Sequence, residues 1–369
     1  MYPPDVGYAW WLMEEFWIEL SALAEWSGRR CLLAYPAPGE VPQRIQDSGI
    51  EVVFQDFTDR SWSGVAERTR FLKRENVELV YLTGEPFFDP IYAAWRALGS
   101  VRTIVSHDHN PGDRDPVYGV KGAFKSARNQ IGSTSCDLYI SLSPLMLERA
   151  LENARIPRER CTVVTNGIRP IDCGQEGTHD LRGEFGVDEA DLLVVNVGRA
   201  HPYKNVESII RAAERLLAMG RTDVKFVHIG DGPALEDLRA QARSATVLDT
   251  TFFSLGRRGD VRALLCGCDV AVHAAWGEGF SLAILEYMSA GLATLVPDIP
   301  SVKQAIDHDR TGRVYATDDT DVLVAELIRL ADDRAEVARL GEAARAEVLA
   351  SYTLEESRKQ LRDEVAKLL

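Results

Sequence analysis

Twelve short runs of apolar and β-branched residues, each closed by a turn signal and separated by longer helical patterns, constrain this chain more than any other feature. In the first half they are "RRCLLAYP", "EVVFQDF", "LVYLTG", "RTIVSHD", "LYISLS" and "CTVVTNG"; in the second, "LLVVNVGR", "KFVHIGD", "TFFSLGR", "VAVHAAW", "LATLVPD" and "GRVYA". Strands buried on both faces read as continuous apolar runs, and strands alternating with helices build parallel sheets. Two sets of six in 369 residues predict an α/β chain of two doubly wound parallel-sheet domains. Between the sets, "RPIDCGQEGTHDLRGEFG" is rich in glycine and charge, lacks an apolar period, and reads as a linker. The predicted domains are residues 1–175 and 186–350. A final helix over 351–369 is signalled by the capping-box pair Thr353 and Glu356, and is free to cross back to the first domain.

Composition excludes several classes. No uncharged apolar run of about 18 residues is present, so no spanning helix is expected. The start lacks a basic region followed by an apolar one, so no secretory signal is expected either. The rings of Tyr8, Trp10, Trp11, Phe16 and Trp17 are spaced to bury one face of a first helix, and rings of this kind also stack on sugars or sit at membrane surfaces. The net charge of -14 argues against nucleic acid as a partner. Its division is uneven: 19 basic minus 23 acidic residues (-4) up to residue 175, and 23 minus 33 (-10) beyond, which leaves room for a local basic surface in the first half. The six cysteines are scattered, their one close pair being C-x-C, and are expected to be reduced in a cytoplasmic protein.

In doubly wound sheets the ligand lies beyond the carboxyl ends of the strands. "VGRAHPYKN" there offers Arg199 and Lys204 at the opening of a helix, where cations and free amides suit a diphosphate. "IGDGP" and "LGRRGD" are glycine turns in equivalent places, and neither is the G-x-G-x-x-G dinucleotide fingerprint. "WGEGFSLAILEYMSAG" sets Glu278 in a turn, Ser281 as a helix cap, Glu286 inside the helix and Gly291 at its end. If the whole interval were helical, the two glutamates would lie about 12 Å apart, too far for acid/base work on one bond and suited to gripping two ends of an extended ligand. His107, Asp108 and His109 end a strand in the first half, with no further ligand set at metal spacing beside them.

These residues resemble the family-4 retaining glycosyltransferases, group 1 glycosyl transferases of the GT-B fold, in which two Rossmann-like domains face each other across a cleft. The resemblance is carried by Gly198, Arg199 and Lys204; by Gly230, Gly232 and Pro233; by Phe253 and Gly256; and above all by E-G-F-x-L-x-x-x-E from Glu278 to Glu286, with Ala290 and Gly291 beyond it. It is strong over about residues 190 to 315, and looser in the first half through His107, Asp108, "ISLS" and "TNGI". It implies transfer of a sugar from a nucleotide-diphosphate donor to a glycan, lipid-linked or small-molecule acceptor, with retention and with no cofactor or obligatory metal. By the same resemblance Arg199 and Lys204 would neutralise the leaving diphosphate, and Glu286 would hold the ribose. Glu278 with Gly279, Phe280, Ser281 and Leu282 would hold the donor sugar and phosphate, Gly256 and Arg257 would border the base, and His107 would reach the sugar on cleft closure. Attack by the acceptor hydroxyl would come from the face that the phosphate leaves. Polysaccharide biosynthesis in the cytoplasm, with peripheral contact at the membrane face, follows from the family alone.

The chain departs from the family pattern twice. It begins "MYPPDVGYAWW", with Gly7 alone where the family has a first strand and a Gly-Gly loop, so that the first strand reads as missing or truncated; and "VPDIPSVKQAI" replaces a glycine-rich turn with a glutamate. The competing expectations are a GT-B sugar-nucleotide epimerase, which the E-G-F-x-L-x-x-x-E element disfavours, and a catalytically silent nucleotide-binding protein.

Overall fold

The computed structural model describes residues 10–110, 116–177, 179–317 and 319–369, so Gly7 and Tyr8 lie outside the described residues. Each of the twelve apolar runs forms a strand. β1 (Leu32–Tyr35) and β2 (Glu51–Phe54) pair in parallel as a two-stranded sheet. β3 (Leu79–Thr83), β4 (Thr103–Asp108), β5 (Leu138–Ser141) and β6 (Cys161–Val163) form a parallel sheet in that order. β7 (Leu192–Val197), β8 (Val224–Ile229), β9 (Phe252–Gly256), β10 (Val270–Val272), β11 (Ala293–Pro297) and β12 (Arg313–Tyr315) form a six-stranded parallel sheet in the order β12-β11-β10-β7-β8-β9.

The chain divides into two compact units, Met1–Asn166 with Glu355–Leu369, and Gly167–Leu354. In the second, Leu192 and Val194 of β7 face one core cluster and Leu193 and Val195 the other, which is why its strands carry no polar alternation. In the first, the Trp10–Trp26 helix buries Phe16 and Trp17, and the final helix, Leu354–Ala366, holds it through Arg358 to Glu19 (2.8 Å) and Arg362 to Glu19 (2.7 Å). Glu15 and Glu19 on that face are both buried, and Arg358 and Arg362 neutralise their charges.

Residues 169–186 are not the open linker their composition suggests. Ile171 and Leu181 are fully buried in a core of the second unit, the Ile171 amide donates to Ser289 Oγ (2.7 Å), and Arg345 donates to the Ile171 carbonyl (2.6 Å). Short helices at Cys173–Glu176 and Leu181–Phe185 carry the segment along that unit. Isolated apolar anchors leave no period to detect. The packing also brings Cys173 to Cys266 with a Cα separation of 5.5 Å, and the two form a disulfide, against the expectation that all six cysteines are reduced. Cys31, Cys136, Cys161 and Cys268 are free thiols.

Candidate active site

The order of the second sheet reverses at β7, which lies between β8 and β10, and such a switch point opens a crevice beyond the strand ends. Two loops meet there. The one after β7 runs through Gly198 and Arg199 into a 3-10 turn, Pro202–Lys204; the one after β10 runs from His273 through Trp276 to Glu278. They are tied by the Trp276 amide donating to the Tyr203 carbonyl (3.0 Å) and the Tyr203 hydroxyl donating to the Gly277 carbonyl. The contact at their centre is an ion pair between Lys204 Nζ and Glu278 Oε1, and the same oxygen accepts from His273 Nε2 at 2.7 Å. Arg199 is exposed beside them, with no ion pair to another described residue.

Burial alone would raise the Glu278 carboxyl, but the hydrogen bond and charge of His273 and the Lys204 ammonium outweigh it and hold the group at about 2. Glu278 is therefore ionised throughout the neutral range and has no proton to give as a general acid. The helix after it, Leu282–Ser289, starts four residues later, so the rise of a continuous helix applies only to the second half of the Glu278 to Glu286 interval. Ser281 occupies the N-cap position but makes no side-chain capping bond, contrary to the sequence reading. First-turn amides of a helix have no carbonyl one turn earlier, and here they open at Leu282. Phe280 is buried with its ring 5.5 Å from that of Tyr352. Glu286 is buried within the helix, and the neighbouring Tyr287 hydroxyl accepts from the Val197 amide (2.6 Å) and donates to the Val197 carbonyl (3.0 Å), which fixes the helix against the end of β7. Gly291 ends the helix at φ 80°.

The remaining turns cluster beside the Arg199 loop. A Cβ on Gly230 would lie 1.8 Å from the Gly198 carbonyl oxygen and one on Gly232 2.5 Å from that of Ala200, so these glycines serve backbone packing against the Gly198–Ala200 turn. Gly256 ends β9 at φ 67°, its carbonyl accepting from the Gly230 amide (2.9 Å), and Arg257 next to it is exposed. The segment "DIPSVKQ", where the family pattern fails, braces the Glu278 turn: the Glu278 amide donates to Ser301 Oγ (3.4 Å) and Gln304 Nε2 donates to the Gly279 carbonyl (2.8 Å).

Within the sheet, His228 Nδ1 donates to Asn196 Oδ1 (2.9 Å) and Asn196 Nδ2 to the Val272 carbonyl (2.8 Å), linking β8, β7 and β10 below the loops. Burial pushes His228 down to about 4 from an ordinary 6.5, with the Arg239 charge adding to the effect. A histidine depressed in the folded state is protonated more readily on unfolding, so its contribution is complete above pH 6.5 and is lost as the pH falls toward 4. From His228 alone, the unfolding free energy should fall by about 2 kcal/mol between about pH 7.5 and 5, and His228→Asn should shallow the slope. Denaturant titrations across that range test this; parallel pH curves for the two proteins would refute it.

In the first unit, His107 is fully buried near the carboxyl end of β4. Its ring centroid lies 4.1 Å from that of His109 and 5.3 Å from that of Phe16, and the Tyr81 hydroxyl is 2.5 Å from Nδ1. Burial, and then the neighbouring His109, hold it well below the usual histidine range, so it is a neutral ring. Among the described residues its Nε2 has no hydrogen-bond partner. Asp108 instead accepts from Arg149 (2.8 Å) and from the Asn110 amide (3.0 Å), a structural role. Sequence reasoning missed His273 and Tyr203; the available signal for His273 was a polar residue at a strand end, five residues before Glu278.

The sequence profile described as Glycosyl transferases group 1 matches residues 178–347, and that described as Glycosyltransferase Family 4 matches residues 21–170. The N-acetyl-alpha-D-glucosaminyl L-malate synthase of Bacillus anthracis is 23% identical over 286 residues, 77% of this chain and 73% of that protein. The UDP-Gal:alpha-D-GlcNAc-diphosphoundecaprenol alpha-1,3-galactosyltransferase of Escherichia coli is 30% identical over 157 residues, 42% of this chain and 41% of its own. The structure of Anabaena HepE in complex with UDP covers 99% of this chain and 98% of its own, with a TM-score of 0.75 at 18% identity, a likeness of fold. Two matched domains in tandem on a GT-B fold of paired Rossmann-like sheets make this chain a member of the group 1, family 4 glycosyltransferases.

Proposed function

We propose that the chain moves a sugar from a nucleoside-diphosphate donor to a hydroxyl of a lipid-linked, glycan or small-molecule acceptor, with retention of configuration and without an obligatory metal ion. The observation that carries this reading is the Lys204 and Glu278 pair at the sheet's switch point, beside exposed Arg199 and the opening of the Leu282–Ser289 helix. Arg199 and Lys204 supply the positive charge that a departing diphosphate requires, and the helix opening supplies amides to a phosphate or sugar oxygen. Glu286 is assigned to the ribose, Gly256 and Arg257 to the border of the base, and His107 to the reaction as a neutral ring offering Nε2. The bond from the anomeric carbon to the phosphate oxygen breaks as the acceptor oxygen bonds to the same face, and the acceptor proton passes to that phosphate oxygen.

The donor class is supported by the UDP-sugar named for the Escherichia coli relative and the UDP bound by HepE; the acceptor class, by the diphosphoundecaprenol and malate in the relatives' names. A lipid-linked acceptor would set this work at the cytoplasmic membrane face; separately, no helix among the described residues is long and apolar enough to cross a bilayer.

Incubation with a panel of nucleotide sugars should release nucleotide slowly from one donor, with the sugar hydrolysed. Conversion to an isomeric nucleotide sugar would assign the chain to epimerisation, and binding without turnover to a silent protein. Lys204→Ala and Arg199→Ala should each weaken nucleoside diphosphate binding, Lys204→Ala by about tenfold. Unchanged affinity in both variants would remove the diphosphate assignment.

A further inference from the structure

A neutral histidine is often oriented by an acceptor: a carbonyl or carboxylate takes the Nδ1 hydrogen and leaves Nε2 as a lone pair, and so as a base. His107 is held differently. The carboxylate next to it in sequence, Asp108, is taken up by Arg149 and the Asn110 amide. What faces Nδ1 is the Tyr81 hydroxyl, 2.5 Å away on the neighbouring strand. The parallel register sets Tyr81 of β3 against Val105 of β4, so His107, two residues on, lies on the same face of the sheet, its ring 6.0 Å from that of Tyr81 and nearly perpendicular to it at 80°.

A bond between a phenol and an imidazole nitrogen runs in one of two directions, and the neighbours of each partner decide which. Burial raises the Tyr81 hydroxyl well above the usual phenol range, so it keeps its hydrogen. Among the described residues that hydroxyl has no hydrogen-bond partner besides His107 Nδ1. Were Nδ1 to donate, the phenolic hydrogen would be left without an acceptor and the Nε2 lone pair without a donor. With the hydroxyl donating, Tyr81 and Nδ1 are both satisfied, and a single group is left over, the Nε2 hydrogen. His109 does not take it up: its own Nε2 is also without a partner among the described residues, although the two rings lie 4.1 Å apart. Burial keeps both histidines neutral, His109 at about 4.

We propose that Tyr81 is a positioning residue whose hydroxyl locks His107 as the tautomer protonated at Nε2, so that His107 meets the substrate as a hydrogen-bond donor to an oxygen and not as a base. This rests on the place given to His107 in sugar transfer, and goes beyond it in the direction of the bond and the side chain that sets it.

Full-length protein with nitrogen-labelled histidine, in long-range proton and nitrogen correlation spectra at neutral pH without donor, should show a single His107 tautomer, protonated at Nε2, with an unprotonated, hydrogen-bonded Nδ1. Loss of those signals in His107→Gln assigns them. Tyr81→Phe keeps the ring and removes the one donor. It should release His107 to a mixture of tautomers and lower kcat/KM for donor turnover about fivefold, with the thermal midpoint moved by only a few degrees. A second background separates orientation from packing: glutamine at residue 107 offers a nitrogen donor and has no tautomer to set, so Tyr81→Phe combined with His107→Gln should cost at most about twofold beyond His107→Gln alone. A parent His107 protonated at Nδ1 overturns the proposal. So do unchanged His107 signals in Tyr81→Phe, or the same fivefold loss in both backgrounds. The spectra need no turnover, which keeps the two readings apart. A parent that holds the Nε2 tautomer through Tyr81 but turns over no donor refutes only the transfer, and one that turns over donor with Nδ1 protonated refutes only the role of Tyr81.

Discussion

Glutamine at Glu278 should lower donor turnover about a hundredfold while changing the thermal midpoint by only a few degrees. The exchange keeps shape and most hydrogen-bonding capacity, since the amide oxygen still accepts from His273 Nε2. What it removes is the charge that places the Lys204 ammonium. In this structure that ammonium is held by Glu278, so a bound diphosphate and the carboxylate share one cation between them. A preorganised cation stabilises a developing charge because it does not have to move when the charge appears. Without its partner Lys204 gains the freedom of a long side chain, and the ordering cost falls on the transition state.

The alternative role for Glu278, proton donation, makes a different prediction. An acid would give a pH and rate profile that follows its titration, and a carboxyl held at about 2 by His273 and Lys204 would show none in the working range. Glu278→Asp separates these further: it keeps the charge but retracts it, so turnover should lie between those of the parent and the glutamine variant. Glutamine turnover within about threefold of the parent would exclude the positioning role, since loss of a preorganised donor ordinarily costs about a hundredfold or more.

The strands of this fold were legible because parallel strands buried on both faces need unbroken apolar runs, and "LLVVNV" or "KFVHI" permit little else. The turns after them were legible as places, since glycines and basic residues stand where strands end. Their contacts were not. Lys204 and Glu278 are 74 residues apart, and they meet because β7 and β10 are neighbours across the switch point, a fact of strand order rather than local pattern. The same reason hid the Cys173 and Cys266 bond, which closes over a separation of 93 residues. Ser281 had the right type and place for a cap, yet its hydroxyl makes no capping bond. For His107 the strand-end position was readable, whereas its enclosure by Phe16, Tyr81 and His109 depends on how the Trp10–Trp26 helix packs on the sheet.

Alanine at Gly230 should cost roughly 3 to 4 kcal/mol of unfolding free energy, above the usual range for one added methyl group. The new Cβ would sit 1.8 Å from the Gly198 carbonyl oxygen and 2.8 Å from its carbon, both backbone atoms that no rotamer change can move. Neither side can retreat cheaply. The Gly198 amide donates to the Ile229 carbonyl at 3.0 Å and the Gly230 amide to the Gly256 carbonyl at 2.9 Å, so the ends of β7, β8 and β9 are laced at this level. Relief would require the Gly198 turn to swing outward, carrying Arg199 with it, and nucleoside diphosphate affinity should fall along with stability. Gly259→Ala in the neighbouring turn is the control, because a Cβ there meets nothing within 4 Å. Denaturant unfolding of the two variants decides the matter: if Gly230→Ala is no less stable than Gly259→Ala, the close approach of these turns does not constrain the site.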